Sequence, residues 1–297
     1  MKLLRTPDER FENLPDYPFK PNYLNVDGIR IHYIDDGPRN AEVILLMHGE
    51  PSWSYLYRHM IPILLEARFR IIAPDLVGFG RSDKPTEKSD HTYRRHVQWI
   101  SSFINILDLE NITLFCQDWG SLIGLRVAVE NQERFNRIVL SNGGLPTGER
   151  KPNKAFLDWQ YFSKTATKFY IGRIIQGATV TKLPRNVLKA YEAPFPDDTF
   201  KAGARIMPSL VPTTIDDPEH KANKKAWEEF FKWKKPFLTA FSDSDPITRG
   251  GDIYWQKKVP GAQGQNHTII KDAGHFVQED KGPELANLII DFIKNNP

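Results

Sequence analysis

The sequence contains a single cysteine, Cys116, which excludes an internal disulfide and a metal site built from several cysteines. It also lacks any run approaching about 20 apolar residues, the length that a membrane-spanning helix needs. Residues 1–8 do not contain the apolar stretch of a secretory signal. We therefore expect a cytoplasmic protein that does not bind a membrane.

Basic residues are scattered along the chain and form no dense stripe. The net charge is only +3, and pairs of lysines such as Lys224-Lys225 and Lys257-Lys258 lie far apart in the sequence. A nucleic-acid-binding surface is expected to be more densely basic, so we predict no nucleic-acid partner. The 297 residues, 40% of them hydrophobic, suffice for one large core or for a core with a small accessory domain.

Short apolar segments alternate with amphipathic segments along much of the chain. Strands are predicted at 23–26, 29–34, 43–47, 70–74, 111–116, 137–141, 236–241 and 267–271. The first two form a hairpin around the Asp27-Gly28 turn. Helices are predicted at 55–65, 93–107, 121–129 and 283–294. This alternation predicts an α/β fold with a mostly parallel, doubly wound sheet and helices on both faces.

The pattern changes between residues 145 and 223, where no strand is predicted. Aromatic residues, prolines and short amphipathic stretches, such as 154–170 and 183–191, fill this segment. Amphipathic stretches of this kind are typical of surface helices. We therefore predict a helical cap domain at 145–223, inserted into a main domain made of 1–144 and 224–297.

Asp118 lies at a predicted sharp turn from a strand into a helix. The pattern Cys116-x-Asp118-x-Gly120 has small residues on both sides of a central reactive residue, as in a nucleophile elbow. Small residues are required because the strand and the helix approach closely there. A carboxylate is already charged at neutral pH and is suited to displacing a leaving group from a saturated carbon.

Further reactive side chains follow other predicted strands, at the sheet edge where doubly wound folds bind ligands. Asp243 and Asp245 both follow the strand at 236–241, and His275 follows the strand at 267–271. The chain order of nucleophile, acid and histidine is that of the α/β-hydrolases. We predict Asp118 as nucleophile, Asp245 as acid and His275 as base, with Asp243 as the alternative acid.

The other histidines are assigned no part in proton transfer. His48 is predicted to shape the loop that follows the strand at 43–47. Six more are expected on surfaces or sheet edges: His32, His59, His91, His96, His220 and His267.

Three segments resemble the haloalkane dehalogenases. They are His-Gly-Glu-Pro-Ser-Trp-Ser-Tyr-Leu at 48–56, Gln-Asp-Trp-Gly at 117–120 and Asp-Ala-Gly-His-Phe-Val-Gln-Glu at 272–279. The likeness extends over nearly the whole chain and is closest to the subgroup whose acid follows the strand after the cap. Asn142 stands where the other main subgroup has a carboxylate. Ile247 fits the family's placement of the acid and favours Asp245.

The resemblance implies that the protein cleaves carbon–halogen bonds in two displacements. Asp118 would expel halide from a small halogenated alkane, and water activated by His275 would hydrolyse the resulting ester. The indole N–H groups of Trp119 and Trp159 would bind the halide ion. The backbone N–H groups of Glu50 and Trp119 would form the oxyanion hole. No metal and no organic cofactor is predicted.

Two further residues are predicted to line the substrate pocket. Phe156 and Trp159 are three positions apart, so both rings lie on one face of a helix. Leu122 stands where close relatives often carry an aromatic residue, so a wider pocket is expected.

Other activities and a non-catalytic role remain as alternatives. An epoxide hydrolase would use the same aspartate with a pair of cap tyrosines, for which Tyr161, Tyr170 and Tyr191 are available. A fluoroacetate dehalogenase would carry arginine after the nucleophile, where this chain has Trp119. A luciferase of the Renilla type resembles the other acid arrangement. A non-catalytic sensor on this scaffold would tolerate the loss of the reactive residues, all of which are present.

Overall fold

The computed structural model describes residues 1–297, and its central element is an eight-stranded sheet. In chain order the strands are β1 (Asn22–Val26), β2 (Ile29–Asp36), β3 (Val43–Met47), β4 (Arg70–Pro74), β5 (Ile112–Asp118), β6 (Phe135–Gly143), β7 (Phe237–Ser242) and β8 (Thr268–Ile270). Across the sheet their order is β1-β2-β4-β3-β5-β6-β7-β8. The β1–β2 and β2–β4 pairs are antiparallel and the others are parallel. The predicted mostly parallel sheet is therefore confirmed.

Every residue of the central strand β3 is buried. Side chains on both faces of the sheet are therefore covered, as expected for a sheet between two layers of helices. The helices are α1 (Ile61–Glu66), α2 (Tyr93–Ile106), α3 (Trp119–Glu130), α4 (Lys154–Thr165), α5 (Ile171–Gly177), α6 (Arg185–Glu192), α7 (Ala202–Ile206), α8 (His220–Phe230), α9 (Asp252–Lys258) and α10 (Val277–Asn295). Helix α1 packs against α10, and α3 packs against both α2 and α8. None of the helices combines the length and the apolar character needed to cross a bilayer.

Between β6 and β7 the chain forms helices and no strand, as predicted for the cap. The predicted boundary at residue 223 falls inside α8, which packs against α3 of the main domain. One continuous cluster of 80 buried hydrophobic residues includes Ile171, Tyr191 and Met207 from the inserted segment together with the sheet. The cap segment and the sheet thus share a core, and the exact division into domains stays a prediction.

Three histidines that were expected on surfaces or edges are buried: His32, His91 and His96. The expectation was wrong because each imidazole has a partner inside the protein. His32 Nδ1 lies 2.7 Å from the buried carboxylate of Asp75, and the rings of His91 and His96 stack with centroids 5.5 Å apart. A paired imidazole is tolerated in a core where an unpaired polar group is not.

Candidate active site

The turn between β5 and α3 places Asp118 in a strained backbone conformation, with φ 50° and ψ −129°. Small neighbours leave the space that this turn needs. A Cβ atom on Gly120 would lie 2.0 Å from the carbonyl oxygen of Met47, and one on Gly49 would lie 2.4 Å from the Asp118 side chain. Strained, over-determined backbone is typical of functional sites.

Gly120→Ala is expected to lower the free energy of unfolding by about 3 kcal/mol or more, because the added methyl group overlaps the backbone of β3. Chemical denaturation of the purified variant measures the effect. Gly177→Ala is the matched control, since a Cβ there meets nothing within 4 Å. This control should raise the stability by roughly 0.4–1 kcal/mol. Equal stabilities of the two variants would show that the elbow is not tightly packed.

Each carboxylate oxygen of Asp118 faces a different group. The backbone N–H of Glu50 donates to Oδ1 at 2.7 Å, and His275 Nε2 lies 3.4 Å from Oδ2. Trp119 is the first residue of α3, and the first N–H groups of a helix have no partner inside it. Of the two backbone groups predicted as an oxyanion hole, the Glu50 N–H thus lies against the Asp118 carboxylate, and the Trp119 N–H begins the helix that follows it.

The structure brings Asp245, and not Asp243, against the histidine. Asp245 Oδ2 lies 2.9 Å from His275 Nδ1. The carboxylate of Asp243 instead accepts from Ser244 Oγ at 2.9 Å and lies near the backbone of Asp272. Asp118, His275 and Asp245 thus form a continuous row.

The charges in this row shift the pKa values of His275 and Asp245. Burial opposes the charge on His275, but the carboxylates of Asp245 and Asp118 outweigh it and raise the pKa of His275 to about 10. Burial also opposes ionisation of Asp245, yet the charge and hydrogen bond of His275, with the Thr248 hydroxyl, lower its pKa to about 2. The acidic side chains on either side of the imidazole therefore favour its charged form.

Three further side chains form hydrogen bonds with this row or lie next to it, and the sequence analysis did not predict these contacts. The amide nitrogen of Gln117 lies 3.0 Å from His275 Nε2 and donates to the His275 carbonyl at 3.2 Å. The Asn142 amide donates to the same carbonyl at 3.0 Å, and the Thr248 hydroxyl donates to Asp245. Gln117 directly precedes Asp118 in the motif. This adjacency is the only feature of the sequence that indicates a role for Gln117.

A cavity of about 1430 Å³ opens above the row, and its wall includes Asp118 and His275. All five residues predicted to bind the halide, to form the oxyanion hole or to line the pocket contribute to this wall: Glu50, Trp119, Leu122, Phe156 and Trp159.

The two predicted halide-binding indoles are held by other aromatic rings. Trp119 packs edge-on against Tyr93, with centroids 5.1 Å apart. Trp159 stacks against Phe162 and Phe169 at 5.8 and 6.0 Å. Such stacking restricts the rings to a few orientations, which suits a site that must present N–H groups in fixed directions.

Of the three cap tyrosines considered for an epoxide hydrolase, only Tyr170 lines the cavity. The hydroxyl of Tyr191 is buried and donates to Glu279. Tyr161 lies on the surface with 70% of its area exposed. A pair of tyrosines that could protonate an epoxide oxygen above Asp118 is therefore not formed.

Comparison with known proteins agrees with this geometry. Residues 42–282 match the family described as having the alpha/beta hydrolase fold. The chain is 57% identical to the haloalkane dehalogenase of Psychrobacter cryohalolentis, with 100% of both chains covered. It is 51% identical to that of Mycolicibacterium paratuberculosis, with 98% of both covered. The tetrameric structure of haloalkane dehalogenase DpaA from Paraglaciecola agarilytica NO2 superposes with a TM-score of 0.90 at 36% identity, covering 97% of both chains. The chain therefore belongs to the haloalkane dehalogenase family within the alpha/beta hydrolase fold.

Proposed function

We propose that the protein hydrolyses haloalkanes to an alcohol, a halide ion and a proton, with Asp118 as the nucleophile. The observation that carries the proposal is the position of a carboxylate on the elbow, in the wall of the cavity and 3.4 Å from a histidine paired with Asp245. No organic cofactor or metal ion has a part in this reaction.

In the first displacement, a carboxylate oxygen of Asp118 forms a bond to the carbon that carries the halogen. The carbon–halogen bond breaks, and its electron pair leaves with the halide. Negative charge thereby moves from Asp118 towards the indoles of Trp119 and Trp159, whose N–H groups are suited to stabilise it. The product of this step is an alkyl ester on Asp118.

In the second displacement, water attacks the carbonyl carbon of that ester. His275 Nε2 takes a proton from the water, while Asp245 stabilises the imidazolium that forms. The oxyanion develops on an oxygen of Asp118, where the Glu50 N–H already donates in the free protein. The intermediate then collapses: the bond between the carbonyl carbon and the alkoxide oxygen breaks, the alcohol leaves with the proton held by His275, and the remaining carboxylic acid gives up its proton to restore the carboxylate.

The ester step also prepares His275 to act as a base. Alkylation removes the charge of Asp118, which is one of the groups that raise the pKa of His275 to about 10 in the free protein. The pKa of the histidine must therefore fall once the ester has formed. Displacement of the halide thus favours release of the imidazole proton to solvent and the neutral, basic form of the histidine.

Asp118→Asn imitates this loss of charge, so the pKa of His275 should be lower in the variant than in the wild type. NMR titration of the imidazole measures the difference. Asp243→Asn is the control and should leave the titration unchanged, because that carboxylate is only half-buried and does not contact the ring. An unchanged pKa in Asp118→Asn would contradict the proposed coupling.

The experiment that tests the function is the incubation of the purified protein with 1-bromobutane, with bromide and acid measured together. We expect one bromide and one proton for each molecule of butanol. Turnover of 1,2-epoxybutane without turnover of 1-bromobutane would instead support an epoxide hydrolase. Turnover of neither substrate would leave the sensor role as the better explanation.

A further inference from the structure

The side chain of Asp280 has no part in the mechanism above, although it follows His275 closely in the sequence. It is half-buried in the first turn of α10, and its carboxylate accepts hydrogen bonds from three backbone N–H groups. Thr181 donates to Oδ1 at 2.7 Å. Val180 and Gly274 donate to Oδ2 at 3.1 and 2.8 Å. One carboxylate thus joins the cap segment to the residue that precedes His275.

Two loops meet at this carboxylate. The cap loop, residues 178–181, follows α5, and the histidine loop, residues 271–276, links β8 to α10. The Phe276 N–H donates to the carbonyl oxygen of Ala178 at 3.2 Å. A Cβ atom on Gly274 would lie 2.5 Å from that same oxygen, so the two backbones are in close contact. Both loops contribute to the wall of the reaction cavity.

The backbone of the histidine loop is held from two sides. The Asn142 amide donates to the carbonyls of both Gly274 and His275, at 2.9 and 3.0 Å. The Gln117 amide adds a bond to the His275 carbonyl at 3.2 Å. The N–H groups on either side of the histidine bond instead to the Asp280 carboxylate and to the cap loop. A buried N–H without a partner is costly, so the carboxylate and the cap loop fix the side of this loop that the sheet does not reach.

The position of the imidazole matters chiefly for the second displacement. The first displacement uses the carboxylate of Asp118, whereas the second requires His275 Nε2 to reach a water molecule beside the ester. In the free protein Nε2 lies 3.4 Å from Oδ2 of Asp118. Misplacement of a catalytic group by about 1 Å can lower a rate by about 100-fold. A change that loosens the histidine loop should therefore slow hydrolysis of the ester more than its formation.

We propose that Asp280 is a positioning residue for the second displacement. Its carboxylate holds the cap loop against the histidine loop and thereby fixes the imidazole of His275 relative to Asp118. Asp280 touches neither the substrate nor the attacking water, and it transfers no proton. This inference rests on the proposed function, since it assigns a role in hydrolysis of the same ester.

Single-turnover kinetics of Asp280→Asn test the proposal. The amide has nearly the size of the carboxylate, but in either orientation its NH₂ group faces a backbone N–H in place of an acceptor. With the protein in excess over 1-bromobutane, bromide reports the first displacement and butanol reports the second. We expect bromide release within about threefold of the wild type. Butanol release should be roughly 10- to 100-fold slower, with a butyl ester accumulating on Asp118.

The matched control is Asp291→Asn, which makes the same change in the same helix on an exposed side chain. Both of its steps should stay within about twofold of the wild type. Decay of the ester is unimolecular, so its rate constant does not depend on how much of the variant is folded. Equal slowing of both steps in Asp280→Asn would indicate a general structural role and overturn the proposal, as would butanol release at the rate of the control.

Amide hydrogen exchange gives a readout that does not depend on catalysis. The N–H groups of Thr181 and Gly274 should exchange at least about tenfold faster in Asp280→Asn, since both lose the same acceptor group. Unchanged exchange at both positions would refute the role of the carboxylate in joining the loops. Failure of the wild type to release bromide from 1-bromobutane would instead refute the proposed function itself, so the two failures are distinguishable.

Discussion

Asp118→Asn is expected to lower kcat for 1-bromobutane by about 10⁴-fold or more, which is the scale of loss seen when a nucleophile is removed. An amide carries no charge and is a poor nucleophile towards saturated carbon, so the first displacement would not start. The substitution preserves the shape of the side chain, and its amide oxygen still accepts a hydrogen bond from the Glu50 backbone. Loss of activity would therefore report on chemistry and not on folding.

The measurement is bromide release over hours at high protein concentration, accompanied by a thermal melt that compares the folded states. Asp243→Asn is the matched control, because it makes the same change on a half-buried carboxylate that does not contact His275. Its kcat should stay within roughly twofold of the wild type, as for most surface substitutions. Bromide release by Asp118→Asn at the rate of that control would exclude Asp118 as the nucleophile.

The elbow and the sheet were predictable because both leave local signals in the sequence. Cys116-x-Asp118-x-Gly120 requires small residues at fixed spacing, and the buried strands β3 and β5 read as apolar runs. The acid could be narrowed to Asp243 or Asp245 from the end of β7 alone. The resemblance to the family favoured Asp245 through Ile247, but the residues themselves left both open, and only the structure provides the contact of Asp245 with a residue 30 positions later.

Contacts between distant segments account for what the sequence analysis missed. His32 lies buried because Asp75, 43 residues away, supplies a partner, and nothing in the sequence around His32 shows this. Gln117 and Asn142 meet at the carbonyl of His275 from two different strands.

His275→Phe is expected to stop the reaction after the first displacement. The carboxylate of Asp118 needs no base, so halide should still be displaced once per protein molecule. The ester should then persist, since phenylalanine cannot take a proton from water. Steady-state turnover should fall by about 10⁴-fold or more. The expected time course of bromide release is a burst of one equivalent per protein molecule, followed by a plateau.

Mass spectrometry of the stalled protein identifies both the nucleophile and the substrate. Incubation of His275→Phe with 1-bromobutane should add one butyl group, located on the peptide that contains Asp118. His59→Phe is the control, because this partly buried histidine has no hydrogen bond to another residue and should turn over normally without an adduct. If bromide were released from His275→Phe without an adduct, water would attack the haloalkane directly, and Asp118 would act as a base. A burst together with a trapped ester can arise only when the carboxylate itself bonds to carbon.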